Sequence, residues 1–107
     1  MPRSAVAPAL NPANDVPLFR TLRYSLYNFA LVGSGTDLYA HKDPERTVWF
    51  YLWHWSVVPG EVNTSSIVSE DFAIRFIREM YLSHKLVIGV DHMSLLEYLP
   101  KLYWGGE

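Results

Sequence analysis

Four histidines, at positions 41, 54, 84 and 92, are the residues of this chain best suited to acid–base or metal chemistry. A metal centre needs ligands that converge on one point, most simply two histidines one helical turn apart. None of the four stands at that spacing, so no metal site is expected. Asp91-His92 sets a carboxylate beside an imidazole, an arrangement that can raise a histidine pKa and suit it to proton transfer. Adjacent residues on a helix point in different directions, however, and Asp91 is more simply an N-cap. His54, Asp91 and His92 are the polar groups that a ligand pocket or an enzymatic site in this chain would use. Ser66, Ser69 and Ser94 lack the G-x-S-x-G context of a strand-to-helix nucleophile. Gly33-Ser34-Gly35-Thr36 offers backbone donors for a phosphate but lacks both the P-loop lysine and the G-x-G-x-x-G spacing, and a turn explains its glycines. The absence of cysteine excludes thiol catalysis, disulfides and cysteine-bound zinc. No catalytic residue is assigned, no cofactor is implied, and a non-enzymatic role is favoured.

Aromatic side chains offer a different chemistry. Thr47–Val58 reads TVWFYLWHWSVV and holds three of the four tryptophans. As a helix it would be apolar all round, which a chain of 107 residues cannot easily cover. Its aromatic and β-branched residues favour a strand, and Pro59-Gly60 ends it. A strand puts Val48, Phe50, Leu52, His54 and Ser56 on one face and Trp49, Tyr51, Trp53 and Trp55 on the other. The even row is the expected core face, with His54 hydrogen-bonded inside it. The odd row can stack on a ligand or anchor a protein interface.

The elements that must position these residues follow from pattern. Residues 1–14, rich in Ala, Pro and Asn, read as a flexible arm ahead of a single domain over 15–107. Asp15 to Val32 fits two templates: a helix capped by Asp15 with Pro17 in its first turn, or a strand from Leu22. The aromatic residues after Thr21 favour a short helical or irregular start followed by a strand over Leu22–Val32. Gly33-Ser34-Gly35 reads as a turn, Asp37–Lys42 as a second strand, and Asp43-Pro44-Glu45-Arg46 as a tight turn into the third. Pro59–Ser66 reads as a polar loop. Ser69 is placed to cap a helix over Glu70–Ser83, whose apolar stripe is Phe72, Ala73, Phe76, Ile77, Met80 and Tyr81. Leu86–Val90 has the composition of a short fourth strand, and Asp91–Leu99 that of a last helix ended by Pro100. The expected fold is α+β: an antiparallel sheet of three to four strands with two α-helices packed on one face.

Charge and cover then limit function. The net charge of −2 and pI of about 6.0 oppose nucleic-acid binding. Arg20/Arg23 and Arg75/Arg78 are each three apart and could meet an acidic partner or a phosphate, but Glu70, Asp71 and Glu79 sit beside the second pair and favour a solvated mixed face. No stretch is long and apolar enough to be a transmembrane helix, and the opening residues have no signal-peptide pattern, so an intracellular place is expected. Two helices can bury one row of the third strand but hardly both. The sequence therefore points to a protein-interaction module or accessory subunit that binds a partner, or a second copy of itself, through Trp49, Tyr51, Trp53 and Trp55. A small-ligand or enzymatic domain with an aromatic-lined pocket is the alternative.

Overall fold

The computed structural model describes residues 7–83 and 96–102. Five antiparallel strands form one sheet: β1 (Val16–Arg20), β2 (Arg23–Tyr27), β3 (Ala30–Lys42), β4 (Val48–Ser56) and β5 (Thr64–Val68). One helix, α1 (Glu70–Leu82), packs on it. The strand order is β1-β3-β4-β5, and β2 lies in line with β1 along the same side of β3.

This corrects the expected fold class. The sheet has five strands rather than three or four, and a packing of two helices on one face is not seen. Among the described residues α1 is the only helix longer than one turn, since residues 96–98 are helical for three residues before Leu99. The expected fourth strand Leu86–Val90 and most of the expected last helix, with Asp91, His92 and His84, lie outside the described residues.

Hairpin geometry explains the strand boundaries. Asn28 and Phe29 both have positive φ (49° and 67°), the pattern of a two-residue type I′ turn that joins Tyr27 to Ala30. The turn thus lies ahead of Gly33-Ser34-Gly35, which runs inside β3 instead of interrupting it. At the other end of β3, Asp43 shapes the next turn as its position suggests. Its Oδ1 accepts from the backbone N–H groups of Glu45 and Thr47, at 3.0 and 2.9 Å. Arg46 takes the left-handed conformation there (φ 68°).

No helix forms at Asp15. Its carboxylate accepts from the Asn11 backbone N–H at 2.8 Å and from His41 Nδ1–H at 2.7 Å, and the chain then enters β1. Register slips between Pro17 and Phe19. A bulge of this kind lets consecutive residues face one side, and Leu18 and Phe19 are both buried in the same core. The polar stretch at Thr64–Val68 is β5, paired to β4 with Val68 opposite Phe50, where a loop was expected up to Ser66.

The core lies between one sheet face and α1. Ser69 Oγ accepts from Phe72 N–H at 3.0 Å, satisfying one of the four free donors of the helix start. Glu70 and Asp71 occupy the first turn, favoured by the helix dipole. Ala73, Ile74 and Ile77 are the buried centre of the helix face, while Phe72 and Tyr81 at the margins of the expected stripe are exposed. Ala73, Ile74 and Ile77 pack with Leu38, Ala40, Phe50 and Leu52 of β3 and β4 and with Leu18 and Phe19 of β1. The Phe19 and Phe76 rings meet edge to face at 5.6 Å. Each fully buried large apolar side chain here stabilises the fold by roughly 1.5–3 kcal/mol. Leu99 and Leu102 close the core, the second after a turn in which Leu102 N–H donates to Leu99 O across Pro100.

Candidate functional site

The even row of β4 faces this core as its pattern suggests, through Phe50 and Leu52. His54, on the same row, does not. It stands exposed, with Nδ1 hydrogen-bonded to Thr36 Oγ1 at 2.9 Å across the β3–β4 pair. The helix-covered core reaches only to Leu52, so the expectation of a buried His54 fails for lack of cover.

The odd row builds a second layer. On β3, Asp37, Tyr39 and His41 stand opposite Trp53, Tyr51 and Trp49 of β4. Tyr51 is only 2% exposed and Tyr39 only 4%. The chain's own N-terminal segment supplies part of this cover: Tyr51 O–H donates to the Pro8 carbonyl at 2.6 Å, and Asp15 holds His41. The arm read from the sequence as flexible thus makes a defined contact with the sheet at Pro8. Burial pushes both tyrosine hydroxyls above their usual pKa, helped for Tyr39 by nearby Asp37 and for Tyr51 by Asp15. Trp53 packs edge to face on Tyr39 at 5.8 Å. Trp49 Nε1–H donates to Asp43 Oδ2 at 3.1 Å. All three tryptophans of β4 are half-buried, and none is a bare surface anchor.

Asp37 is the residue that the sequence did not mark. It is fully buried, and both oxygens are used: Trp55 Nε1–H donates to Oδ1 at 3.1 Å and Arg20 Nε–H to Oδ2 at 3.2 Å. Burial raises its pKa, with the Trp55 and Arg20 contacts acting in the opposite sense. The signal in the sequence was faint: one acid opening a predicted strand, with Arg20 seventeen residues earlier. Held in this way, Asp37 orients the Trp55 indole over Gly33 and Gly35, where a Cβ would stand 3.6 Å and 3.0 Å from the ring. The glycines are therefore a platform for Trp55, not a phosphate cradle.

Beyond Trp55 the sheet narrows to the β2–β3 hairpin. Residues 30–33 of β3 pair with β2 alone among the strands. Pleating puts Tyr24, Leu26 and Leu31 on the same face as Trp55, with Tyr24 opposite Gly33 and Leu26 opposite Leu31. These side chains are 61%, 69% and 70% exposed, and Phe29 at the tip is 98% exposed. A bulky residue at positive φ is strained as well as solvated.

Two grooves lie elsewhere. One of about 540 Å³ runs between β4, β5 and the start of α1, lined by Val48, Phe50, Val68, Glu70 and Tyr98 among others. The other, about 550 Å³, is bordered by Asp71, Arg75, Arg78 and Lys101. Neither contains His54. Among the described residues no three His, Asp or Glu side chains gather where they could hold a metal ion, and no helix is long and apolar enough to cross a membrane. No protein-family model, no curated protein and no solved structure matches this chain.

Proposed function

We propose that this chain is a non-enzymatic protein-interaction module. Its contact surface runs from the Trp53 and Trp55 end of the aromatic sheet face onto the hairpin, through Tyr24, Leu26, Leu31 and Phe29. The observation that carries the proposal is the state of that hairpin: four large apolar side chains stand in solvent on an element that, among the described residues, is no part of the helix-covered core. Contiguous exposed apolar surface of this kind is characteristic of contact sites. Phe29 adds a second cost, because a bulky side chain at φ 67° destabilises the free protein. Both costs are offset if the hairpin is covered in a complex. Trp49 and Tyr51 belong to the supporting layer, since Asp43 and Pro8 hold them.

The test compares wild type with Phe29→Asp and Leu31→Glu. Both replacements are at exposed positions, and Asp tolerates the left-handed conformation. Urea unfolding checks that each variant keeps the wild-type fold. Cross-linking and affinity capture from the native source then read association. The expected result is at least a ten-fold loss of every specific wild-type association in both variants. Associations retained unchanged in both folded variants would overturn the proposal.

A further inference from the structure

We infer that the partner of the hairpin is a second copy of this chain, joined by antiparallel pairing of β2 with β2 of that copy. The inference rests on the interaction proposal and names its partner.

The first observation is which sheet edges are guarded. Proteins blunt free strand edges with proline, bulges, charged side chains or very short strands. β1 carries Pro17 and a register slip beside it. β5 presents a polar edge, with Thr64, Ser65 and Ser66 as three of its residues. β2 is as short as β5 but has no proline and no bulge, and its one charge, Arg23, stands at its end. It reads Arg-Tyr-Ser-Leu-Tyr, is exposed at every position, and pairs only with β3 among the described residues.

The second observation is where its backbone groups point. In a two-residue hairpin the residues flanking the turn exchange hydrogen bonds, here Tyr27 and Ala30. Alternation then directs the N–H and C=O groups of Ser25 and Arg23 to β3 and those of Tyr24 and Leu26 outward. Both sides of β3 agree with this phase, since Gly33 O accepts from Val57 N–H on the β4 side and Thr36 O accepts from Thr21 N–H on the side that β1 and β2 share. Two outward-facing residues on each copy can exchange four backbone hydrogen bonds.

The third observation is the register these residues allow. A two-fold axis perpendicular to the sheet at Ser25 pairs all five residues and keeps like faces together. Tyr24 then stands opposite Leu26 of the other copy, and Arg23 opposite Tyr27. The one charge of β2 meets an aromatic ring instead of its own like charge, a favourable cation–π pairing in place of a repulsion. Tyr24, Leu26 and Leu31 of both copies form one continuous apolar strip across the axis. Ser25 faces Ser25 as a non-hydrogen-bonded pair, with Cα atoms about 4.5 Å apart.

That last distance gives the test. The chain has no cysteine, so Ser25→Cys introduces a single thiol within disulfide reach of its copy. Thr64→Cys, on the exposed β5 edge, is the collision control. Leu26→Pro removes an outward N–H without touching the β3 ladder, as proline is tolerated on edge strands in that orientation; Leu26→Lys serves if the proline variant fails to fold. The expected results are a wild-type mass that rises toward the dimer in sedimentation equilibrium and a monomer at the same concentrations for Leu26→Pro or Leu26→Lys. Cross-linking of Ser25→Cys should run at least ten-fold faster than that of Thr64→Cys. A wild-type monomer throughout, or equal cross-linking rates, would overturn the inference. The interaction proposal would survive that result if Leu31→Glu still abolished binding of a different protein.

Discussion

Gly35→Ala and Gly33→Ala should move stability in different directions, although the two glycines lie two residues apart under one indole. A Cβ on Gly35 would come 2.1 Å from the Thr21 carbonyl oxygen and 3.0 Å from two Trp55 ring atoms. Ordinary contact begins at 3.4 Å, so the Thr21 backbone would have to retreat by more than an ångström. Thr21 is not free to do so. Its N–H and Oγ1–H both donate to Thr36 O, at 3.2 and 3.0 Å, and its Oγ1 accepts from Thr36 N–H at 3.0 Å. Moving it loses two or three hydrogen bonds at about 0.5–1.5 kcal/mol each. Overpacking adds about 1–3 kcal/mol. The sum, about 2–7 kcal/mol, is a large part of the stability of a small domain. A Cβ on Gly33 meets only ordinary contacts, Leu22 Cδ1 at 3.4 Å and the Trp55 ring at 3.6 Å. Restricting the unfolded chain there should leave stability unchanged or raise it by up to about 1 kcal/mol. Urea unfolding followed by tryptophan fluorescence reads both, with an unchanged m-value required for the comparison. Equal losses for the two variants would refute the account of Trp55, Gly35 and Thr21 as one rigid contact.

Three further outcomes follow from the same geometry. Phe29→Gly relieves a bulky side chain at φ 67° and should raise unfolding stability by about 1 kcal/mol, read as a higher urea midpoint. Asp37 binds its proton more tightly folded than unfolded, so its contribution to stability falls as pH rises from the ordinary value of 3.8 through the raised folded value and is level beyond it. Unfolding curves across that window should show wild type losing stability relative to Asp37→Asn as pH rises, and the opposite slope would contradict the burial argument. Tyr51→Phe removes the hydrogen bond to Pro8 O; it should cost about 0.5–1.5 kcal/mol and speed limited proteolysis within residues 7–14.

What the sequence showed clearly was local. Ser69 followed by Glu70 and Asp71 announces a helix because capping chemistry is complete within four residues. Asp43-Pro44 announces a turn for the same reason. The two rows of β4 were legible because aromatic and β-branched residues favour a strand there, and no bulge interrupts Val48–Ser56 to shift them. The errors arose where the deciding contact is distant. Gly33 and Gly35 carry the strongest turn signal near residue 30, yet they lie in β3 because Trp55, some twenty residues on, needs a flat platform. The real turn holds Phe29 where glycine is the usual choice, so its signal was hidden. Thr64–Ser66 looked like a loop because an exposed edge strand needs no apolar row. Asp37 looked like an ordinary strand-opening acid until Arg20 and Trp55 were brought to it by the sheet. For the site, the aromatic row is visible in the sequence but its cover by Pro8 is not, and the hairpin reads as a single strand through Val32 because its turn at Asn28-Phe29 lacks glycine.

The most direct measurement is residue-resolved amide hydrogen exchange of β2 at low and high protein concentration. Tyr24 and Leu26 point their N–H groups away from β3, whereas Ser25 bonds to it. Slowed exchange at Tyr24 and Leu26 on raising concentration, with Ser25 protected throughout, is the expected result. Fast exchange at Tyr24 and Leu26 at every concentration, with the hairpin apolar side chains still in solvent, would contradict the assignment of this edge as the contact surface.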